Sequence, residues 1–487
     1  MREQRVLPRS LDALAPFAPS EQLERLDGEA AWVREHLAGR VVWNVSSTPR
    51  GGGVAEMLRP LVAYTRAYGI DCRWLVIAGT PEFFAITKRL HHAIHGSAGD
   101  GGALAAPERR VYEGVLADNL VELEAVVRTG DVVILHDPQT AGLVPGLARL
   151  GARVVWRCHI GSEHQSDATE AGWGFLERYL TAAELTVFTR PEFVPPAIAG
   201  RPRRIIRPSI DPPAPKNQEL TDGAVRAILV RAGIVEGPPD GEPATYLRSD
   251  GSPGRVDRAA DIMRLGRAPS ANAPMVLQVS RWDPLKDHVG VMAAFSRLPG
   301  EALGDAHLVL AGPTVTSVAD DPEAPGVIAD ALRRWQQLPH DQRRRVQLVS
   351  LPMRDIDENG AMVNALQRHA TIVVQKSIEE GFGLTAAEAM WKARPVVASP
   401  VGGLRDQIVD GESGVLLAGP HDLDGLAAAL QRLLGAPEER RRLGAAAHER
   451  VAQEFLSTRS LLDYGSLLRE LAGNSPAGTP GAEAASR

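Results

Sequence analysis

Residues 377–390 read Ser377-Ile378-Glu379-Glu380-Gly381-Phe382-Gly383-Leu384-Thr385-Ala386-Ala387-Glu388-Ala389-Met390. An apolar run at 371–374 precedes this stretch and predicts a buried strand, and the Ala-rich segment 384–392 predicts a helix. Gly381 and Gly383 allow a tight turn between the two elements and let a ligand approach the backbone. The free N–H groups at the start of the helix favour an anion. With Glu380 before the turn and Glu388 in the helix, we expect both carboxylates to face one ligand, such as a sugar joined to a nucleotide.

Strand and helix patterns alternate through both halves of the chain. Apolar runs typical of buried strands occur at 41–45, 72–77, 131–135, 153–157, 275–279, 306–310, 346–349, 371–374 and 395–398. This alternation predicts an α/β fold with two facing Rossmann-like domains, each a doubly wound parallel sheet. The predicted division is a helical extension at 1–39, a first Rossmann-like domain at 40–210, a hinge and insertion at 211–274, a second Rossmann-like domain at 275–456, a helix at 457–472 that packs back on the first domain, and a disordered tail at 473–487.

The composition is that of a globular protein with a full hydrophobic core. Of the 487 residues, 44% are hydrophobic and 23% are charged, and the net charge of −6 argues against a nucleic-acid-binding surface. Cys72 and Cys158 lie in predicted core strands, which favours free thiols in a reducing compartment. No apolar run reaches the ~18–20 residues of a membrane span, and the first ten residues lack a signal-peptide core. We expect a cytoplasmic protein without membrane or nucleic-acid partners; its oligomeric state stays open, with a homodimer as one option.

Loops in the first half suit a small-molecule ligand. The triple glycine 51–53 follows the first strand pattern and precedes a predicted helix, a geometry that cradles a phosphate or packs close to a sugar. His136-Asp137-Pro138-Gln139 and Cys158-His159-Ile160 follow two later strands. Ligands bind outside the carboxyl ends of strands in open α/β sheets. We therefore expect Asp137 and His159 in a binding site.

Arg281 and Lys286 follow the strand pattern at 275–279 and precede a predicted helix. Two cations at this place can bind a diphosphate and neutralise it as its bond to a sugar breaks. The alternative is a pair of surface cations. No Asp-x-Asp motif follows a strand, no Cys/His spacing indicates a metal site, and Asp320-Asp321 reads as a helix cap. We expect neither a metal nor another cofactor.

The spacing from Glu380 to Glu388 resembles the Glu-x7-Glu signature of retaining glycosyltransferases of family 4 type, which have the GT-B fold. The resemblance narrows to the trehalose glycosyltransferring synthases and the retaining trehalose phosphorylases, over about residues 40–455. Stretches similar to those families occur in one order along both halves: His136-Asp137-Pro138-Gln139, Trp156-Arg157-Cys158-His159-Ile160, Pro208-Ser209-Ile210-Asp211-Pro212, Lys216-Asn217, Gln278-Val279-Ser280-Arg281-Trp282-Asp283, Gln375-Lys376-Ser377 and Glu388-Ala389-Met390-Trp391-Lys392.

The resemblance implies a reaction and a role for each matched residue. The enzyme would transfer glucose reversibly from an NDP-glucose to glucose and give α,α-trehalose, by front-face attack in which a phosphate oxygen takes the acceptor's proton. Glu380 would hold the donor sugar and Glu388 the ribose. Further donor contacts would come from Arg281, Lys286, Gly52, Gly53, Gly381, Phe382, Gly383, Leu384 and Thr385. Asp137, Gln139 and His159 would face the acceptor, and the catalytic set would be Glu380, Arg281, Lys286 and His159.

Two departures from the family pattern leave alternatives open. Gly161-Ser162-Glu163-His164 follows His159-Ile160 where the family usually has Asp, which puts the acceptor in question. The segment 233–274 is longer than in compact members. The alternatives are a trehalose phosphorylase, a transferase with another small acceptor, and a sugar-nucleotide sensor without catalysis. The base of the donor and the physiological direction also stay open.

Overall fold

The computed structural model describes residues 1–50, 52–238, 242–314 and 323–473. Its strands are β1 (Arg2–Gln4), β2 (Val42–Ser46), β3 (Cys72–Val76), β4 (Val132–His136), β5 (Arg153–Cys158), β6 (Leu185–Phe188), β7 (Arg203–Ile205), β8 (Thr245–Leu247), β9 (Pro253–Arg255), β10 (Asp261–Met263), β11 (Met275–Val279), β12 (His307–Pro313), β13 (Val346–Leu351), β14 (Ile372–Gln375), β15 (Val396–Ala398) and β16 (Val415–Leu416). Three subjects of the sequence predictions, Gly51, Asp320-Asp321 and the tail from 474 onward, lie outside the described residues.

The α-helices connect and cover these strands. They are α1 (Ser20–His36), α2 (Gly53–Ala67), α3 (Pro81–Ile94), α4 (Ala106–Glu124), α5 (Val144–Arg149), α6 (Asp167–Leu180), α7 (Asp222–Arg231), α8 (His288–Phe295), α9 (Gly300–Leu303), α10 (Ala324–Gln336), α11 (His340–Arg343), α12 (Ile356–His369), α13 (Leu384–Trp391), α14 (Gly403–Gln407), α15 (Leu423–Gly435), α16 (Pro437–Glu454) and α17 (Ser457–Gly473). Among the described helices, none combines the length and apolar character needed to cross a membrane.

The first sheet has seven strands in the order β1-β3-β2-β4-β5-β6-β7. Strands β2 to β7 run parallel, and β2 and β4 are buried along their whole length, as expected for a sheet covered on both faces. The chain order reverses at β2, which lies between β3 and β4. The loops after β2 and β4 therefore flank a switch point, the place where ligands bind in this kind of sheet.

The second sheet has the order β10-β13-β12-β11-β14-β15-β16. Its six parallel strands follow the order of a dinucleotide-binding sheet, with the switch point between β11 and β14. The loop after β11 carries Arg281 and Lys286, and the loop after β14 carries Glu380. The prediction of two doubly wound parallel sheets is confirmed, and the cations and the carboxylate share one switch point.

Each sheet also has an antiparallel edge strand that the sequence predictions missed. β1 pairs with β3, so the predicted helical extension begins with a strand before α1. In the insertion, the sequence around 257–265 favours one short helix, which is wrong: β10 pairs antiparallel with β13, and Ile262 alone of its three residues is partly buried. β8 and β9 form a separate two-stranded sheet. Strands of three residues are too short for periodicity to separate them from a helical turn.

The backbone passes between the domains at two adjacent places. Ile210 N–H donates to Phe455 O at 2.8 Å, and Ser457 N–H donates to Ile210 O at 2.9 Å. The second passage leads into α17, whose Leu467 and Leu468 pack in a hydrophobic cluster of the first domain. The outgoing connector and the returning helix are thus hydrogen-bonded to each other where they cross.

Candidate active site

A cavity of about 280 Å³ lies between the two domains, where their switch points meet. Most of the residues that the sequence analysis selected line it: Gly52, Gly53, Asp137, Gln139, His159, Arg281, Lys286, Glu380, Gly381, Phe382, Gly383, Leu384 and Thr385. The fold therefore brings the predicted donor residues and the predicted acceptor residues to one place. Their roles toward substrates stay predictions.

Glu380 is held by donors from two loops of the second domain. Lys286 Nζ lies 2.6 Å from Glu380 Oε2, and the same oxygen accepts hydrogen bonds from Ser377 Oγ at 3.0 Å and Gln375 Nε2 at 3.2 Å. Ile378 N–H donates to Leu285 O at 2.7 Å, which joins the two loops. Glu380 as a whole residue is 9% exposed, and these hydrogen bonds fix the orientation of its carboxylate.

Arg281 belongs to a network that reaches the first domain. Its Nη2 lies 3.4 Å from Asp283 Oδ2, and Lys88 Nζ of α3 lies 3.1 Å from the same oxygen. Lys88 also pairs with Glu323 at 2.8 Å. Burial alone raises the pKa of the Asp283 carboxyl, but Lys88 and Arg281 outweigh it and hold that pKa well below its usual value. Asp283 is therefore an anion between a predicted diphosphate ligand and the opposite domain.

Glu388 lies behind the cavity wall and does not line it. Its Oε1 is 3.1 Å from Lys216 Nζ, and that lysine also contacts Glu56 Oε2 of α2 at 2.9 Å. Burial raises the pKa of Glu388 and the Lys216 cation opposes this rise. Among the described residues, no hydrogen-bond partner meets Glu388 Oε2. Lys216, and not Glu388, lines the cavity, and the contact of Glu388 with a ribose stays a prediction.

Two glycines are required where the domains approach each other and the ligand. A Cβ at Gly381 would lie 2.6 Å from the carbonyl oxygen of His159, across the cleft. Gly383, the residue directly before α13, has φ +89°, a conformation that residues with a side chain disfavour. The close approach at Gly381 places the loop between β14 and α13, called the donor loop below, directly against the loop after β5 that carries His159.

The first-domain wall is built on the end of β4. Asp137 has φ 65°, a left-handed conformation that a residue other than glycine adopts at a cost and that recurs at functional sites. Its Oδ1 accepts the His159 N–H at 2.7 Å, so the loops after β4 and β5 are fixed to each other. Gln139 Oε1 is buried and meets no hydrogen-bond partner among the described residues.

One face of α3, with a lysine and two histidines, lines the cavity and was not predicted from the sequence. Lys88, His91 and His95 line the cavity opposite Lys286. His95 Nδ1 donates to Gly161 O at 3.0 Å, and burial together with the Lys286 charge lowers the pKa of His95 to about 4. Their spacing of three and four residues places them on one helix face and was the signal available in the sequence.

The departure at 161–164 has a structural explanation. Glu163 does not line the cavity; it pairs with Arg190 of its own domain and, at 2.6 Å, with Arg405 of the second domain. Burial, with the nearby Glu163 charge, raises the pKa of Glu379 in the donor loop to about 7. The segment that was expected to face the acceptor therefore joins the domains at the rim.

Cys72 and Cys158 are free and buried in β3 and β5. Within the described ranges, no group of three or more His, Cys, Asp or Glu side chains is arranged to hold a metal ion.

Two family descriptions match the chain. The one described as "Trehalose synthase, N-terminal domain" matches residues 44–195, and the one described as "Glycosyl transferases group 1" matches residues 357–450. The first covers the switch point of the first sheet, and the second covers the loop of Glu380 and helix α13.

Whole-chain relatives carry the same names. A trehalose synthase of Pyrococcus horikoshii is 32% identical over 96% of this chain and 97% of its own length. A trehalose synthase of Rubrobacter xylanophilus is 33% identical over 92% of this chain and 94% of its own. Among solved structures, an α,α-trehalose-phosphate synthase (UDP-forming) from Burkholderia vietnamiensis aligns with a TM-score of 0.66 over 88% of this chain and 99% of its own, at 15% identity. That structure supports the GT-B fold.

Proposed function

Because the chain belongs to the trehalose synthase family of GT-B glycosyltransferases, we propose that it transfers glucose from a nucleoside-diphosphate glucose to glucose. The product is α,α-trehalose, the reaction is reversible, and the anomeric configuration of the donor is retained. The supporting observation is the meeting of Arg281, Lys286 and Glu380 with Asp137 and His159 around one interdomain cavity.

The donor occupies the second-domain side of the cavity. Arg281 and Lys286 bind the diphosphate, and the N–H groups at the start of α13 add partial positive charge. Glu380 accepts hydrogen bonds from hydroxyls of the glucose, since a carboxylate held by Ser377 and Gln375 keeps lone pairs for further donors. Lys286 then exchanges part of its contact with Glu380 for a phosphate oxygen.

The acceptor glucose occupies the first-domain side, near Asp137, Gln139 and His159. The bond between the anomeric carbon and the diphosphate oxygen breaks, and a bond from that carbon to the acceptor's anomeric oxygen forms on the same face. The acceptor's hydroxyl proton passes to an oxygen of the departing diphosphate. The two cations stabilise the charge that develops on the leaving group, which is the largest contribution expected of the protein. No metal is assigned to this step.

Closure of the cleft excludes water from the reacting sugar. Lys88 and Asp283, and Arg405 and Glu163, already pair across the cleft at 3.1 and 2.6 Å. A buried reacting centre limits hydrolysis of the donor.

Product analysis tests the proposal. The protein is incubated with ADP-, UDP- or GDP-glucose and glucose, with and without phosphate, and the sugars are separated. Formation of α,α-trehalose with release of the nucleoside diphosphate supports the synthase. Trehalose cleavage by phosphate without any nucleotide-dependent synthesis supports a phosphorylase instead, and transfer to a different small acceptor supports a transferase of other specificity. Binding of the nucleotide sugar without any turnover supports a sensor.

A further inference from the structure

A row of buried polar side chains lies behind the cavity wall in the first domain. His136 Nδ1 is 3.0 Å from His159 Nε2, and His136 Nε2 is 3.2 Å from Asn44 Oδ1. The two imidazole planes are within 15° of each other, and the ring centres are 5.3 Å apart. Asn44 Nδ2 continues the row to Cys72 Sγ at 3.4 Å. Asn44 and His136 are 1% and 2% exposed, so both side chains are shielded from solvent.

The other end of the row is a buried arginine. Arg157 Nε lies 3.3 Å from His159 Nδ1 and 3.2 Å from His159 Nε2. Arg157 Nη2 donates to Ile206 O at 3.1 Å, and its guanidinium lies 5.3 Å from the centre of the Tyr464 ring. Arginine is a donor only and does not lose its proton in proteins.

Within the row from Asn44 through His136 to His159, one assignment of protons gives each contact a donor and an acceptor. Asn44 Oδ1 accepts, so the His136 proton is on Nε2 and His136 Nδ1 carries a lone pair. His159 must then donate from Nε2, which leaves a lone pair on His159 Nδ1 for Arg157 Nε. The reverse assignment places a His136 lone pair against the Asn44 oxygen. Arg157 does not distinguish the two assignments, since its Nε lies 3.3 and 3.2 Å from the two ring nitrogens of His159 and meets one lone pair and one N–H in either.

We propose that Asn44 and His136 are positioning residues that act through His159, by fixing its imidazole as the neutral form protonated at Nε2. The proposal rests on the proposed function only in its kinetic part, because the proton positions can be measured without turnover.

The charges around the row agree with neutral imidazoles. Burial, followed by the Arg157 cation, lowers the pKa of His136 to about 3 and lowers that of His159 strongly. Other titratable groups around the row are Cys72, Asp137, Tyr464 and Tyr64, which lines one small cavity with His136 and His159. Burial raises the pKa of Cys72 to about 12, so the thiol adds no charge.

Fixing His159 also fixes the wall that meets the donor loop. The His159 carbonyl is the atom that a Cβ on Gly381 would approach to 2.6 Å, and the His159 N–H is held by Asp137 at 2.7 Å. A rotated or charged imidazole moves this peptide relative to the reacting sugar. The row therefore connects a buried asparagine in β2 with the position of the cavity wall.

Asn44→Asp is the informative variant because it changes the charge and keeps the shape. The new carboxylate raises the pKa of His136, and protonated His136 donates from Nδ1 toward the proton on His159 Nε2. Below the new His136 pKa, kcat should therefore fall about tenfold for each pH unit, a limb that wild type lacks in the same range. Asn119→Asp is the control: Asn119 is 2% exposed in the same domain and bonds to Ala78, away from the row. It should lower the melting temperature without adding an acidic limb.

The proton positions are measured on the ligand-free protein with 15N-labelled histidine rings, and the His136 and His159 signals are assigned by their loss in His136→Gln and His159→Gln. We expect both rings to be neutral and protonated at Nε2 at pH 7. His136→Gln, which keeps an acceptor, should retain more activity than His136→Leu at equal melting temperature. A His136 ring protonated at Nδ1, or an Asn44→Asp pH profile parallel to wild type, would overturn the proposal. Absence of any trehalose synthesis would overturn the proposed function and leave the ring measurement decisive for the row.

Discussion

Lys286 Nζ lies 2.6 Å from Glu380 Oε2, so the cation assigned to the leaving diphosphate and the carboxylate assigned to the donor sugar neutralise each other before a ligand binds. The pair is partly buried, at 13% and 11% side-chain exposure. Glu380 nevertheless has two further hydrogen-bond donors, the hydroxyl of Ser377 and the amide of Gln375. A donor molecule that binds between the two side chains replaces their one contact with two, one to Lys286 and one to Glu380. Both charged groups are in place before it binds.

We expect Lys286→Ala and Arg281→Ala each to reduce kcat far more than stability. Loss of one preorganised group that stabilises the leaving group costs about 3 kcal/mol, or roughly a hundredfold in rate. Stability should change little, because Glu380 keeps its neutral donors and Asp283 keeps Lys88 at 3.1 Å. Steady-state kinetics and thermal melting check this, with the exposed Arg344→Ala as the control that should leave both unchanged. Turnover near the wild-type value in both site variants would remove the cation pair from the mechanism.

We expect Glu388→Ala to weaken the use of nucleotide sugars and to leave any phosphate-driven cleavage of trehalose untouched. The predicted hydrogen bond from a ribose hydroxyl to the Glu388 carboxylate contributes about 1.5–3 kcal/mol, so the KM for NDP-glucose should rise roughly ten- to hundredfold. Lys216 stays paired, since Glu56 lies 2.9 Å from it. Glu380→Ala should impair both activities because both need the glucose held.

The matched control for that experiment is Glu56→Gln, which removes the other carboxylate of Lys216 and leaves Glu388 in place. Its KM for NDP-glucose should stay within a few-fold of wild type. Trehalose breakdown is measured with ADP, UDP and GDP and separately with phosphate. Cleavage by phosphate alone that is indifferent to Glu388→Ala would establish the phosphorylase in place of the synthase.

Activity should not depend on a divalent metal. Arg281 and Lys286 supply the two positive charges that a metal ion would otherwise bring to the diphosphate. The measurement is the initial rate after exhaustive treatment with a chelator, with a magnesium-dependent glycosyltransferase assayed in parallel to show that the chelation was effective. A rate that vanishes with chelator and returns with magnesium or manganese is the contrary result.

Glu379 should make the protein less stable as the pH rises from about 4.5 to 7. Burial and Glu163 raise its pKa from 4.5 to about 7 in the folded chain, so the folded state binds the extra proton across this window. The stabilisation is complete below the lower value and is lost as the pH passes the upper one. Glu379→Gln should remove this fall from a plot of melting temperature against pH.

Buried histidines make stability change with pH in the opposite direction. Their contribution is the same in wild type and in Glu379→Gln, so it cancels when the two curves are compared. His95 and His288 have pKa values lowered from 6.5 to about 4, so the unfolded chain binds more protons there and their contribution to stability grows as the pH rises through that range. The exposed Glu412→Gln is the control and should follow wild type. A Glu379→Gln curve that parallels wild type from pH 5 to 8 would refute the assignment.

The fold was predictable because its strands and helices are marked by patterns that are continuous in the sequence. Buried strands such as β4 and β14 are uninterrupted apolar runs, and the glycines before α13 mark a strand-to-helix turn. The cavity residues followed from the rule that ligands bind at the carboxyl ends of strands. Glu380 and Lys286 needed only this rule, since each lies in a loop directly after a strand.

What the sequence did not reveal depends on which elements become neighbours. Lys88 meets Asp283 across 195 positions of the chain, and no local pattern in α3 indicates that contact. Asn44 meets His136 because β2 lies beside β4, which requires the sheet order. Glu380 lies in the turn before α13 and Glu388 in the helix, as predicted, but the pairing of Glu388 with Lys216 is a contact that no local pattern indicates.

The double passage of the backbone at Ile210 and Leu456 determines how the cleft can open. A single linker would let one domain rotate freely about it. Two backbone crossings that are hydrogen-bonded side by side restrict the motion to rotation about one axis. Such a hinge permits the lobes to swing apart but resists twist and sideways slip, so Gly381 returns to the same place against His159 after each opening. The alignment of donor and acceptor therefore depends on where the backbone crosses between the domains, which is a point away from the sugars.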